Sequence, residues 1–194
     1  MHARTLMIGG AVLALAFSTV SSEAQFFGSS SPYYRQSYRS GQPYTFGHSP
    51  VARSAFPVSS SYEPNTIIIS TSQRRLYYIT SNGQAISYGI GVGRDGFAWS
   101  GVTRVSAKRE WPSWTPPAQM RRRQPGLPGH MRGGIDNPLG ARALYLGSTL
   151  YRIHGSNEPQ TIGQAVSSGC FRMTNEDVID LYSRVRVGTK VIVQ

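Results

Sequence analysis

Cysteine is almost absent from this sequence: 194 residues contain one, Cys170. A single cysteine excludes an internal disulfide and any zinc site built on paired cysteines. A metal site would have to combine Cys170, His154 and His130 with a carboxylate, without the short paired spacing that structural zinc needs, so no metal is expected. Acidic residues are scarce as well, 9 Asp+Glu against 20 Lys+Arg, for a formal net charge of +11. Glycines at 89, 91 and 93 suggest a nucleotide loop only at first sight. No helical pattern follows them and no phosphate-binding lysine is near, which excludes that use. Long apolar runs are missing too. The stretch from Leu6 to Val20 is about 15 residues, short of the roughly 20 that span a bilayer.

That short run has another meaning. Arg4 supplies a positive start, and Ser22-Glu23-Ala24 fits a small-x-small cleavage site. Residues 1–24 therefore read as a signal peptide, with a mature chain starting at Gln25 and no membrane span left after cleavage. Export would place the protein in the periplasm or cell envelope. There it has no ATP, so bond synthesis must conserve the energy of a bond already made. Basic charge concentrates polyanions. An exported chain rarely meets nucleic acid, so the charge points either to anionic wall polymer or lipid headgroup as partner, or to solubility alone.

Residues 25–62 are rich in Ser, Tyr, Pro, Gly and Gln and nearly devoid of aliphatic side chains. They bury too little apolar surface to offset the entropy of ordering, and read as a disordered tether. From Glu63 the pattern changes. Thr66–Ser70, Arg75–Ile79, Ile86–Val92, a strand starting at Trp99–Val105, Leu144–Leu146, Leu150–Ile153 and Lys190–Val193 are β-branched or aromatic runs bounded by turn residues. Asn82-Gly83 is a hairpin signal, and Gly147-Ser148 joins two further strands. Trp111 to Asp136 is a long Pro-, Gly- and Arg-rich loop of the kind that forms lids or binding surfaces. One helix is expected: Val178, Leu181, Tyr182 and Val185 form an apolar stripe at i, i+3, i+4, i+7. Thr174 or Asn175 would cap its start, Glu176 and Asp177 suit the first turn, and Gly188 would end it. This is a mainly β domain over residues 63–194, a sandwich or open barrel with one helix after the cysteine.

The chemistry gathers in Ser167-Ser168-Gly169-Cys170-Phe171-Arg172, sixteen residues after His154-Gly155. A free thiol titrates near about 8.5, so a working thiol needs help. Arg172 supplies a cation, the following helix a weaker dipole, and His154 a base or ion-pair partner. Gly155 and Gly169 permit close backbone approach, and the N–H groups of Gly169 and Cys170 would form an oxyanion hole. From residue types alone two other readings stay open: Cys170 as a small buried hydrophobe, and His154 as a structural imidazole.

His154-Gly155, Ile162-Gly163, Ser167-Ser168-Gly169-Cys170-Phe171-Arg172-Met173, Asn175 and Asp177 together resemble the signature of the L,D-transpeptidase catalytic domain family, the YkuD type. Asn137-Pro138-Leu139-Gly140 and Gly188-Thr189-x-Val191 also match members, and the resemblance covers roughly 64–194. Many members carry His where this chain has Ser168; any orienting role of that second His is either lost or taken over by the hydroxyl. The resemblance implies a β-rich, cofactor-free cysteine acyltransferase acting on peptidoglycan stem peptides, with Cys170 as nucleophile and His154 as base. It further implies attack at the bond between stem positions 3 and 4, loss of D-alanine and a 3→3 cross-link. A lysine or N-terminus of an outer-membrane protein, or water, would be the alternative acceptor. Arg172 would hold a substrate carboxylate, or else form a structural ion pair.

Overall fold

The computed structural model describes residues 48–58, 61–81 and 83–194. The signal segment, most of the tether and Asn82 of the hairpin signal lie outside them.

Among the described residues, eleven strands form two sheets. The larger runs β1 (Ser54–Pro57), β4 (Gln84–Gly89), β3 (Arg75–Ile79), β2 (Ile67–Ser70), β11 (Lys190–Val193), β6 (Gly101–Glu110), β7 (Arg142–Leu146), β8 (Arg152–His154) and β10 (Phe171–Arg172) in spatial order. The smaller pairs β5 (Val92–Gly93) with β9 (Ala165–Ser167). Gly91, two residues past β4, exchanges backbone hydrogen bonds with Arg172 in β10, both at 2.9 Å. That exchange ties the two flanks together, so the sheet curls into an open barrel.

The β-branched run at 67–69 explains the centre. β2 pairs antiparallel with β3 and parallel with β11. Its alternating side chains separate onto two faces. Ile67 and Ile69 enter the main core with Leu76, Tyr88, Ile90, Leu144, Ile153 and Phe171, while Ile68 joins Ile79 and Ala85 on the other face. Helix α2 (Asn175–Arg184) covers the main core with Val178 and Leu181, both fully buried.

Four features differ from the sequence expectations. β1 lies inside the 25–62 stretch. It adds to the barrel edge by main-chain pairing with β4, Ser54↔Ser87 through Pro57↔Gln84, all four residues exposed, so it needs no aliphatic side chains. Arg53 beside it meets the Asp180 carboxylate at 3.1 Å. The 111–136 loop contains a helix, α1 (Ala118–Arg123), which buries no residue and so leaves no apolar period to read. Helix α2 ends at Arg184 with Val185 as its C-cap. Gly188 sits in the turn leading to β11, where its N–H donates to the Val105 carbonyl at 2.8 Å, and does not terminate the helix. β9 and β10, at three and two residues, are too short to show alternation. No helix among the described residues is long and apolar enough to cross a membrane.

Candidate active site

The site is built on the parallel pair β8/β10, in register Ile153↔Phe171 and Arg172↔His154. Ile153 and Phe171 are buried in the core at 0% and 1% exposure. Alternation then turns Arg152 and His154 of β8, and Cys170 and Arg172 around β10, to the opposite face. The Met173 N–H donates to the His154 carbonyl at 2.8 Å and fixes that register. Cys170 and His154 are therefore diagonal neighbours on one face, which sequence spacing alone could not establish.

His154 is buried, and its Nδ1 lies 2.6 Å from the Gly155 carbonyl oxygen. A carbonyl only accepts, so Nδ1 carries the proton and Nε2 presents a lone pair. Burial is the main force on its titration and lowers the imidazole pKa to about 3; the Gly155 bond opposes this weakly, and Arg172 and Arg152 reinforce it. His154 is thus a neutral base across the physiological range.

Cys170 is half-buried, its Sγ 3.8 Å from the Leu150 carbonyl oxygen. The protein packed around the sulfur pushes the thiol pKa up, and Arg152 and Arg172 offset that only in part. Desolvation disfavours charge on both partners, so the resting pair is thiol plus neutral imidazole.

The loop before the thiol is tied on both sides. The Ser167 hydroxyl donates to the Cys170 carbonyl at 2.6 Å and accepts from the Gly169 N–H at 3.1 Å. Trp99 Nε1 donates to the Gly169 carbonyl at 3.2 Å, and its indole stacks on Tyr151 at 4.9 Å between centroids. Gly169 has φ +102°, and a Cβ there would fall 2.4 Å from Tyr151 Cε1, so only glycine fits. These bonds also revise the expected oxyanion hole. The Gly169 N–H is spent on Ser167, and the Gly155 N–H donates to the Arg142 carbonyl at 3.0 Å. Gly155 serves packing: a Cβ would lie 2.2 Å from Asn175 Oδ1, the atom that accepts from the Ala141 N–H at 2.8 Å. Asn175 thereby ties the residue before β7 to the start of α2. Ser168 is half-buried beside them.

Arg172 pairs with Glu158, Nη1 to Oε2 at 2.9 Å. His130 bonds Thr115 at 2.9 Å within the long loop. Arg152 is the site residue that sequence reading passed over. Its Nη1 donates to the Leu150 carbonyl at 3.0 Å, and its guanidinium lies 5.1 Å from the Tyr145 ring centroid. Its Nε is buried with no hydrogen-bond partner. The available signal was its i−2 position to His154 on a strand, which puts both on one face. Among the described residues, no group of three or more His, Cys, Asp or Glu is placed to hold a metal.

This arrangement offers a half-exposed thiol, a neutral base with a free nitrogen and nearby cations, the parts of nucleophilic acyl transfer. Comparison with known proteins agrees at the level of family. The probable L,D-transpeptidase ErfK/SrfK of Escherichia coli strain K12 is 40% identical over 134 residues, covering 64% of this chain and 42% of that protein. The probable L,D-transpeptidase YbiS of the same strain is 41% identical over 134 residues, covering 64% and 43%. The chain thus spans less than half the length of these curated relatives. A crystal structure described as a probable carnitine operon oxidoreductase from Brucella melitensis is 44% identical, covers 76% of this chain and 96% of its own, and has a TM-score of 0.51. The catalytic domain of the Enterococcus faecium L,D-transpeptidase acylated by ertapenem shares the fold at 20% identity, with a TM-score of 0.51 over 66% of this chain and 95% of that one. The model of the YkuD L,D-transpeptidase catalytic domain matches residues 64–193, and the chain belongs to that family.

Proposed function

We propose that this protein is a peptidoglycan L,D-transpeptidase, a cysteine acyltransferase that makes 3→3 cross-links. The observation that carries the reading is the 2.6 Å contact of His154 Nδ1 with the Gly155 carbonyl oxygen, which selects the tautomer with its proton on Nδ1. With Nδ1–H committed to the Gly155 carbonyl, Nε2 is a free base on the sheet face that also carries Cys170. As the thiol attacks the carbonyl between stem positions 3 and 4, its proton passes to Nε2 and the S–C bond forms. Collapse breaks the C–N bond, and His154 returns that proton to the departing D-alanine amine. The side-chain amine of a second stem then attacks the thioester. It gives its proton to His154, and the sulfur leaves and is reprotonated. The Cys170 N–H is our assignment for the oxyanion donor, since those of Gly155 and Gly169 are engaged. The old amide supplies the energy of the new one, so the reaction needs no cofactor.

We further assign residues 1–24 as signal, the part of 25–62 that precedes β1 as tether, and β1 together with 63–194 as catalytic domain, with the reaction in the periplasm or cell envelope. The oxidoreductase description of the Brucella relative finds no support in these residues. A dithiol couple needs a second cysteine, and the glycines at 89–93 lead from β4 into β5 rather than into a helix.

The test is incubation of residues 25–194 with purified muropeptides and mass spectrometry of the products. A 3→3 dimer with loss of D-alanine is expected; a shortened stem alone indicates water as acceptor, and no change refutes the reading. Carbapenem should add its mass to the wild-type protein and not to Cys170→Ala.

A further inference from the structure

The resting site poses a problem that its assigned residues do not solve. The sulfur must become anionic to attack, yet it is crowded by protein and its base is neutral. Arg172, the cation of the cysteine motif, is already engaged with Glu158. Something else must meet the charge that develops on sulfur.

Arg152 stands where that charge appears. The β8/β10 register puts it across from Cys170, one step before the Ile153↔Phe171 pair. Arg152 Nη1 and Cys170 Sγ approach the same acceptor, the Leu150 carbonyl oxygen, at 3.0 and 3.8 Å. The guanidinium and the sulfur are therefore gathered around one oxygen. Among the described residues Arg152 forms no ion pair with a carboxylate. Its Nε–H is buried and unbonded, an unfavourable arrangement unless some state of the molecule uses the donor. Stacking on Tyr145 holds the plane of the group in place.

We propose that Arg152 is the thiolate-stabilising residue of this site: Cys170 as a thiol donates to the Leu150 carbonyl, and as a thiolate accepts from the Arg152 guanidinium. The step balances simply. The Sγ proton leaves for His154 Nε2, the contact to Leu150 loses its hydrogen, and the anionic sulfur turns to the donor that had no acceptor. The charged or titratable groups facing the sulfur are Arg152 and His154 from β8 and Arg172 from β10, the last partnered by Glu158. This inference rests on Cys170 being the nucleophile of the proposed reaction.

Two measurements test it without any acyl donor. First, the rate of Cys170 alkylation by iodoacetamide is followed against pH in the full chain, in Arg152→Met and in Arg152→Lys. Removal of a cation within a few ångströms should raise the midpoint by about one pH unit or more in Arg152→Met, with Arg152→Lys between it and wild type. An unmoved midpoint in Arg152→Met overturns the proposal. Second, the ¹⁵N–¹H resonance of Arg152 Nε in the wild-type protein should shift with the same midpoint as alkylation, and should not shift in Cys170→Ser. This needs no arginine variant to fold, and a flat resonance overturns the proposal. A third readout links it to catalysis. Carbapenem acylation should slow about tenfold or more in Arg152→Met. If wild type resists carbapenem while the Nε resonance still tracks the thiol, the transpeptidase reading fails and the thiolate role of Arg152 stands.

Discussion

Replacing His154 with glutamine should make the protein less sensitive to mild acid, although it removes the proposed base. The imidazole titrates near 6.5 in an unfolded chain, and burial brings it to about 3 in the fold. A lowered folded value means that the unfolded state binds the proton first as pH falls. Stability from this group is complete above pH 6.5, declines below it, and is fully lost near pH 3. Each pH unit in that window costs about 1.4 kcal/mol, so wild type at pH 5 should be about 2 kcal/mol less stable than at pH 8 on this account alone. Asp177 works in the opposite direction. Burial raises its carboxyl to about 6, so it takes up its proton earlier in the fold than in the unfolded chain and gains stability as pH falls below 6. It is present in both proteins and cancels in their difference. Urea unfolding of residues 48–194 at pH 8 and pH 5, for wild type and His154→Gln, isolates the imidazole. The gap between the two proteins should change by about 2 kcal/mol in favour of the variant at pH 5. A gap that stays constant would refute the assignment of a buried, neutral, Nδ1-protonated His154, and with it the resting state described for the site.

Three further substitutions probe the frame around the pair. Gly169→Ala places a methyl 2.4 Å from Tyr151 at φ +102°, so the thiol loop must shift; carbapenem acylation should fall at least tenfold while far-UV circular dichroism stays native. Asn175→Ala removes the acceptor of the buried Ala141 N–H and should cost about 1–3 kcal/mol in urea unfolding. Lys108 donates to the Tyr182 and Val185 carbonyls at 2.6 and 2.5 Å and lies 4.0 Å from the Tyr182 ring centroid; Lys108→Met leaves the end of α2 without that cap and should lower stability by about 1–2 kcal/mol.

Long, strongly patterned elements were legible in the sequence. The isoleucine run at 67–69, the apolar and aromatic run at 75–79 and the periodic stripe Val178, Leu181, Tyr182, Val185 each carry enough apolar side chains to declare their structure. What stayed hidden obeys a different logic. β1 is held by main-chain pairing with exposed side chains, and β10 is two residues long, so neither writes an apolar pattern. The cysteine and histidine were legible as residue types, but their meeting depends on the β8/β10 register, which is a tertiary fact. Residue types also do not say where a backbone N–H is spent: that of Gly169, one of the two expected oxyanion donors, goes to the Ser167 hydroxyl.

The arrangement makes β8, rather than the cysteine's own loop, the strand that sets thiol reactivity. Parallel strands cannot be joined by a tight turn; they need a crossover. Residues 155–170 provide it, leaving β8 at Gly155 and returning Cys170 to the flank of the same strand. That path also brings Glu158 to Arg172, so the motif arginine is neutralised by the connection that delivers the motif cysteine. The cation left to act on sulfur then comes from Arg152, and the base from His154, two positions apart on one edge. Since β8 is fixed by antiparallel pairing to β7, Ala143↔His154 through Tyr145↔Arg152, a shift of a single residue there would turn both side chains into the core and Ile153 out toward the thiol. The placement of Arg152 and His154 beside Cys170 is thus a matter of strand register, held by the β7/β8 pairing and by the Met173 N–H on the His154 carbonyl.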